Sequence, residues 1–383
     1  MTLDSITFKI HNRISQLPTT WNQVASSNAF LQTQYLSVLE ASAPVNMQCF
    51  YISIYEKETH IGVALAQYLE VGKLESFGDR DSCLKTKIRN FIFRNFASHV
   101  LFLGNNMITG QNGYAFNKEI DFECISDLLL QCSEAIIAYF KKQNITIHIV
   151  SFKDFYQDCS IELKKHSFSN IFEFNVQPNM IFELDPQWKT AEDYINSLAK
   201  KYRDQYKRSH KKFEGIEVRE LSYNEIVLHE ERIHELYHYV AKNAPFNTFF
   251  LAKHHFSTFK KQCGHQFRLC GYFFEGKLVG FHTLLLNGKT LETYFLGYDD
   301  HVQKEKMLYL NMLYNMTEFG IQNQFEEIIF GRTALEIKSS IGAKPVTMSG
   351  FIFHSNKLIN RYIGKIFEKL EPPIEWQQRH PFK

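Results

Sequence analysis

Apolar residues recur along the chain with two alternating periods. Runs at 49–54 and 60–69 are short and nearly continuous, and the polar turn Glu56-Lys57-Glu58-Thr59 joins them, which predicts a β-hairpin. The stretch 70–122 is less regular, holds the apolar run 100–103 and a Gly-Asn loop at 104–113, and is expected to contain further strands. Ile125, Leu128, Leu129, Cys132, Ile136, Tyr139 and Phe140 then return every three or four residues, marking one face of a helix, and a buried strand is expected at 145–150.

A second module begins near Pro186. Thr190 and Asp193 have capping-box spacing and open a helix that carries Tyr194, Leu198 and Tyr202 and turns strongly basic through Lys212. Ser222 and Glu225 repeat the signal before a helix with Ile226, Ile233, Tyr237 and Val240 on one face. Three strands follow, at 267–274, 278–286 and 290–298, with turns at Glu275-Gly276-Lys277 and Asn287-Gly288. A helix with Leu308, Met312, Met316 and Phe319 leads to a strand at 327–330. The halves therefore run in similar order, and residues 55–62 read much like 274–280, with Gly62 and Gly280 in matching places.

Composition narrows the class without naming a function. Lys plus Arg is 43 against 41 for Asp plus Glu, so any electrostatic role is local and not a property of the whole surface. A hydrophobic share of 44% and a charged share of 22% are those of a folded globular chain and exclude a disordered or collagen-like one. Phe (35) and Tyr (19) are in excess, enough to fill two cores and to line an apolar groove. The cysteines at 49, 83, 124, 132, 159, 263 and 270 form no Cys-x-x-Cys pair and are expected to be reduced core residues of a cytoplasmic protein. No secretory leader and no apolar run of about 20 residues is legible, so the expected location is cytoplasmic or peripheral at the inner face of the membrane.

The β-meander, the following helix, and a strand ending in Ile329-Phe330-Gly331-Arg332-Thr333 with Lys338 and Gly342-Ala343 beyond it resemble the GNAT superfamily. The closest likeness is to its tandem-domain branch, which contains the FemAB peptidoglycan-bridge transferases. There an Arg-rich helix precedes the second domain, as Tyr202-Arg203 and Lys207-Arg208 do here. The resemblance implies an α/β fold of two tandem GNAT-like domains, each a mixed, mostly antiparallel sheet flanked by helices. They are expected at 1–185 and 216–355, with a basic linker helix at 186–215 and an amphipathic C-terminal helix and tail at 356–383. It also implies an N-acyltransferase whose acceptor is an amine of a cell-envelope precursor or lipid. One departure bears on the donor. Acetyl-CoA-dependent members hold the cofactor diphosphate on a Gly-rich loop at a helix N-terminus, whereas residues 299–306 contain no glycine and three acids. The donor is therefore expected as a co-substrate and not a permanently bound cofactor: acyl-CoA, an acyl-carrier protein or an aminoacyl-tRNA.

Several constellations could carry the chemistry. Lys200, Lys201, Arg203, Lys207, Arg208, Lys211 and Lys212, with Asp204 as the single acid among them, form either a phosphate clamp or a solvated helix surface. Strand alternation puts Glu292, Tyr294 and Tyr298 on one face, with Glu292 as a candidate base, His282 on the neighbouring strand as its competitor, and Tyr294 and Tyr298, with Tyr202 on the basic helix, as candidate substrate contacts. Arg332 and Lys338 flank the last strand, where they hold either an anionic substrate or a structural partner such as Glu336. His234-Glu235-Leu236-Tyr237-His238 matches the zinc motif His-Glu-x-x-His, although the histidines fall on the polar edge of the helix, with His254 and His255 the only spare ligands nearby. The readings left open are a transferase, a zinc hydrolase on His234, Glu235 and His238, and a ligand-binding module without catalysis. No metal is expected in the first and third. Finally, Leu358, Ile359, Tyr362, Ile363, Ile366, Phe367 and Leu370 alternate with Lys357, Arg361, Lys365 and Lys369, a basic amphipathic helix that either packs on the protein or contacts a membrane.

Overall fold

The computed structural model describes residues 6–71, 96–243, 247–370 and 376–383, which leaves Cys83 outside. Its strands are β1 (Ile6–His11), β2 (Met47–Glu56), β3 (Thr59–Glu70), β4 (His99–Leu103), β5 (Tyr114–Phe116), β6 (Ile149–Tyr156), β7 (Phe172–Glu183), β8 (Ile216–Glu220), β9 (Phe267–Phe274), β10 (Lys277–Asn287), β11 (Thr290–Tyr298), β12 (Glu327–Gly331) and β13 (Lys344–His354). The chain forms two compact units. One is Met1–Val176 with Pro245–Ala252 and Thr347–Ile374; the other is Gln177–Ala244 with Lys253–Val346 and Glu375–Lys383. This division differs from the contiguous one drawn at residues 185 and 355, because β7 and β13 each begin in one unit and end in the other.

In the first unit β1, β2, β3 and β4 pair antiparallel in sequence order, β4 pairs parallel with β6, and β6 pairs antiparallel with the end of β13. The second unit repeats this order: β8, β9, β10 and β11 antiparallel, β11 parallel with β12, and β12 antiparallel with the end of β7. Each unit thus takes its last strand from the other half of the sequence. A contiguous repeat could not reveal this, since the pattern of apolar residues says nothing of which strand a partner comes from.

The cores form where the periods meet. The helix Phe122–Lys141 buries Ile125, Leu128, Leu129, Cys132, Ile136 and Phe140 against Phe50, Ile52, Leu101 and Val150, each large side chain contributing about 1.5–3 kcal/mol. The helix Leu308–Gln322 does the same in the second unit with Met312, Leu313 and Met316 against Leu284, Leu291 and Ile328. Gly62 and Gly280 are required by close approach: a Cβ would meet the Phe116 ring at 2.4 Å in the first case and the Met312 Cε at 2.7 Å in the second.

Two elements depart from the sequence reading. The strand expected at 145–150 begins at Ile149 and runs to Tyr156, because Asn144 (φ 60°) ends the preceding helix and the Ile145 N–H returns to the Phe140 carbonyl. The helix opened by Thr190 stops at Ser197 and restarts as Lys200–Lys212, since Leu198 and Ala199 are extended (ψ 145° and 153°). Both capping boxes, at Thr190 and Ser222, are formed. The six cysteines in the described residues are free thiols, five buried and Cys270 half-buried.

Candidate active site

The parallel pair of the second unit is short. Thr290, Leu291 and Glu292 of β11 lie in register with Glu327, Ile328 and Ile329 of β12, and the ladder ends there, while β11 runs on through Thr293 to Tyr298. The Thr293 hydroxyl donates to the Ile329 carbonyl (2.9 Å) at the point of parting. Beyond it, β12 turns away through Gly331, Thr333 and Ala334, all with positive φ (71°, 66° and 48°). Two non-glycine residues in the left-handed region within one turn are costly and need outside support.

Lys338 supplies that support. Its side chain is buried, and Nζ donates to the Gly331 carbonyl (3.1 Å) and the Arg332 carbonyl (2.6 Å). Burial lowers its pKa to about 7. Of the two roles open to Lys338, the structure supports the structural one in place of an anionic ligand contact: the ammonium is buried and two of its three N–H groups hold the turn. Glu336 is not its partner either, since that carboxylate pairs with Arg379 (2.9 Å). Arg332 is half-buried at the turn.

The alternation expected on β11 is broken by a bulge. His282 of β10 opposes Leu296 and Leu284 opposes Thr293, so Tyr294 and Phe295 together face Thr283. The Thr283 hydroxyl closes the gap, donating to the Phe295 carbonyl (2.6 Å) and accepting the Phe295 N–H (3.0 Å). Parity therefore flips. Glu292, opposite Leu285, and Tyr294 share one face, where the Tyr294 hydroxyl meets His255 Nε2 (3.1 Å) and its ring packs on Phe259. Tyr298 lies on the other face, opposite Gly280, with its ring 6.0 Å from that of Tyr309. Grouping Tyr298 with Glu292 and Tyr294 is thus corrected, for a reason that hydropathy does not encode.

His282 is on the face of Tyr298, away from Glu292. It is buried, and its Nδ1 lies 2.8 Å from the Tyr272 hydroxyl, which also accepts from Asn315 (3.3 Å). Burial first, and then Arg268, lower its pKa to about 3. An imidazole so reluctant to take a proton is a structural group and not a competitor to Glu292 as base. Glu292 is itself buried where the β11–β12 ladder ends, and burial, with the Glu327 charge adding to it, raises its pKa to about 8 despite a hydrogen bond from Asn287. Of the two candidate bases, Glu292 is the one whose proton affinity lies near neutrality.

The basic helix divides. Tyr202 is in the core, and Gln205 reaches Tyr314 (3.3 Å) and Ser340 (3.1 Å), so Tyr202 is a packing residue and not a substrate contact. Arg203 is half-buried and donates weakly to the Asn196 carbonyl (3.5 Å), whereas Lys207 and Arg208 are exposed. Residues 300–306 form a short helix whose cap Asp299 accepts the His301 N–H (3.0 Å) and pairs with Arg232 (3.2 Å). This stretch is a capped helix and not an open main-chain cradle.

On the helix Glu230–Asn243, His234 and His238 face one another with Nε2 atoms 3.1 Å apart, as their spacing predicts. Glu235 is turned to Arg232 (2.7 Å) and Tyr239 (2.5 Å). Among the described residues no group of three or more His, Cys, Asp or Glu side chains is placed to hold a metal, and His255 is engaged with Tyr294. A zinc site with Glu235 as base is therefore not assembled by the described residues.

Sequence reasoning missed Thr283, the contacts that His255 makes with Tyr294 and Asn287 with Glu292, and the left-handed backbone of the turn at 331–334. A bulge, a positive φ and a hydrogen bond to a distant strand leave no periodic trace. In the first unit β4 and β6 pair from Val100 with Ile149 to Leu103 with Phe152. The loop that follows β4 is tied to β6 by Lys153, whose Nζ donates to the carbonyls of Asn105 (2.9 Å) and Ile108 (3.3 Å) and pairs with buried Asp154 (3.0 Å).

No family model and no curated protein matches the sequence. Its fold is matched by solved structures. The crystal structure of FemX superposes with a TM-score of 0.56 at 11% identity, covering 93% of this chain and 99% of that one. A tandem GNAT protein from the clavulanic acid biosynthesis pathway, determined without AcCoA, gives 0.50 at 8% identity, covering 92% and 99%. A conserved protein of unknown function from Bacteroides thetaiotaomicron gives 0.50 at 10% identity, covering 90% and 99%.

Proposed function

We propose that this chain, whose fold is that of the tandem GNAT proteins of the FemAB-like branch, is an N-acyltransferase with its reaction centre in the second unit. The observation that carries the reading is the parting of β11 from β12 directly beyond buried Glu292. Alternate main-chain groups of a strand point to each edge, so an extended acyl donor lying in the opening meets β11 as another strand would. N–H groups on that edge are preset donors for the oxyanion that forms on the donor carbonyl.

Amide formation makes one C–N bond and breaks the C–S bond of a thioester or the C–O bond of an aminoacyl ester. The attacking amine loses a proton to the Glu292 carboxylate, and the leaving thiolate or alkoxide takes a proton, which returns Glu292 to its ionised state. No covalent enzyme intermediate is invoked: burial raises the pKa of the Cys263 thiol to about 12 and that of the half-buried Cys270 thiol to about 11, which keeps both protonated near neutrality.

The donor is acyl-CoA, an acyl-carrier protein or an aminoacyl-tRNA. All three carry phosphate, for which Arg203, Lys207, Arg208 and Arg332 are the candidate contacts. The acceptor is an amine of a cell-envelope precursor or lipid, a reading that rests on the FemAB resemblance. The test is mass spectrometry of amide products from the purified chain, offered each donor class with a panel of envelope amines. Amide from one class, lost in Glu292→Gln, is the expected result. Saturable donor binding with no amide from any class would make the chain a binding module, the reading that the capped helix at 300–306 favours.

A further inference from the structure

The helices Lys357–Arg361 and Ile363–Leu370 present apolar residues on two faces. One face is used by the first unit itself. Ile363 is buried, the Phe367 ring packs on Phe172 and Phe174 (centroids 5.9 and 5.2 Å), and a Cβ on Gly364 would lie 2.9 Å from the Phe172 ring. The other face is open to solvent. Leu358 is 74% exposed, Tyr362 52% and Ile366 40%, a stripe at intervals of four that runs across the junction of the two helices at Tyr362, whose carbonyl accepts the Ile366 N–H. Lys357, Arg361 and Lys365, all exposed, form a parallel row one residue before each of them. No Asp or Glu occurs anywhere in 357–367.

Isolated apolar residues on a surface need no explanation, but a stripe bordered by an uninterrupted row of cations is a matched pair of features. A neutral protein partner would cover the apolar stripe and leave the cations idle. An anionic bilayer uses both. The stripe enters the boundary between headgroups and acyl chains, the Tyr362 ring sits at headgroup level, and the ammonium and guanidinium groups meet lipid phosphates. The first of the two helices is anchored, since the His354 main-chain N–H donates to the Asn360 side chain (2.8 Å) and the His354 Nε2 meets the carbonyl of half-exposed Phe96 (2.7 Å). None of the helices among the described residues is long and apolar enough to cross a bilayer.

We propose that this face docks the first unit onto an anionic membrane surface, lying in the interface without spanning it. The inference rests on this surface alone and stands apart from the reaction assigned to the second unit. It is tested by co-sedimentation of the full chain with phosphatidylcholine vesicles, with and without phosphatidylglycerol, at low and high salt. Binding is expected only to the anionic vesicles, weakening as salt rises. Lys357→Glu with Arg361→Glu and Lys365→Glu should weaken it on the order of 100-fold, from the gain that each basic residue near such a surface brings. Leu358→Ser with Tyr362→Ser and Ile366→Ser should also abolish sedimentation, and circular dichroism should show both variants folded, because every altered side chain is exposed. Failure to bind anionic vesicles, or equal binding by either variant, overturns the proposal. So does a dimer in light scattering that the serine variant alone dissociates, which would make the stripe an interface between two copies.

Discussion

In the first unit β4 stops at Leu103, level with Phe152, and the loop beyond it is pinned to β6 by Lys153. In the second, β11 continues to Tyr298, past its last partner in β12, and the ladder ends at Glu292. The strand order is the same in both. What differs is what each unit does with the space that a short parallel pair creates. The first closes it with its own main chain and a buried ion pair, and the second borders it with a buried carboxyl and a turn held by Lys338. A shared topology creates the opening, and a few side chains decide whether it is a structural joint or a place for chemistry.

The comparison breaks first at Glu292. Replacing it by glutamine should lower the rate of amide formation by roughly 10²–10⁴-fold, while Lys153→Met at the matching place should leave the rate per folded molecule unchanged. Steady-state assays of both variants decide it, and an equal loss in the two would move the reaction centre. The next effect is on stability. Lys153→Met leaves the Asp154 charge buried and two carbonyls without their donor, so it should cost about 3–5 kcal/mol in denaturant unfolding; adding Asp154→Asn should recover part of this.

The pH dependence sharpens the contrast. The Glu292 carboxyl titrates near 8 when folded and near its ordinary 4.5 when unfolded. The folded state therefore keeps a proton that the unfolded state has lost, and stability should fall between those values by up to about 1.4 kcal/mol per pH unit. The rate should rise over the same range to a plateau above about pH 8. Urea titrations and rate profiles should show both trends, and Glu292→Gln should remove the first. A smaller effect is expected at the bulge. Thr283→Val leaves the Phe295 N–H and carbonyl without their bridge and should cost roughly 1–3 kcal/mol, with faster hydrogen exchange at that amide. The smallest is at the surface, where Lys207→Glu with Arg208→Glu should raise the KM for a phosphate-bearing donor a few-fold at low salt, vanish at high salt and leave kcat unchanged.

Much of this was open to sequence reasoning wherever a local rule applied. The hairpin β2–β3, the three-strand meander, the amphipathic helix Phe122–Lys141 and both capping boxes follow from period, turn chemistry and cap spacing. The site was legible in part. Glu292 stands out as a carboxylate among aromatic residues, but its face could not be assigned past Phe295, because one extra residue in the strand reverses every later side chain. Lys338 looked like a ligand contact because a lysine near a strand end resembles one, and only burial and two carbonyls within reach of Nζ show otherwise. Tyr202, beside Arg203, was a candidate substrate contact, and packing puts it in the core.

The order of residues by itself determined the elements, the near-repeat of their succession and the cation row beside the apolar stripe at 357–366, since each depends on neighbours within a few positions. Only the tertiary structure decided which half supplies each unit's sixth strand, where the parallel pair parts, and which buried ionisable groups keep their ordinary proton affinity. These depend on how strands and helices pack, and it is desolvation in that packing that moves Glu292 up and His282 and Lys338 down.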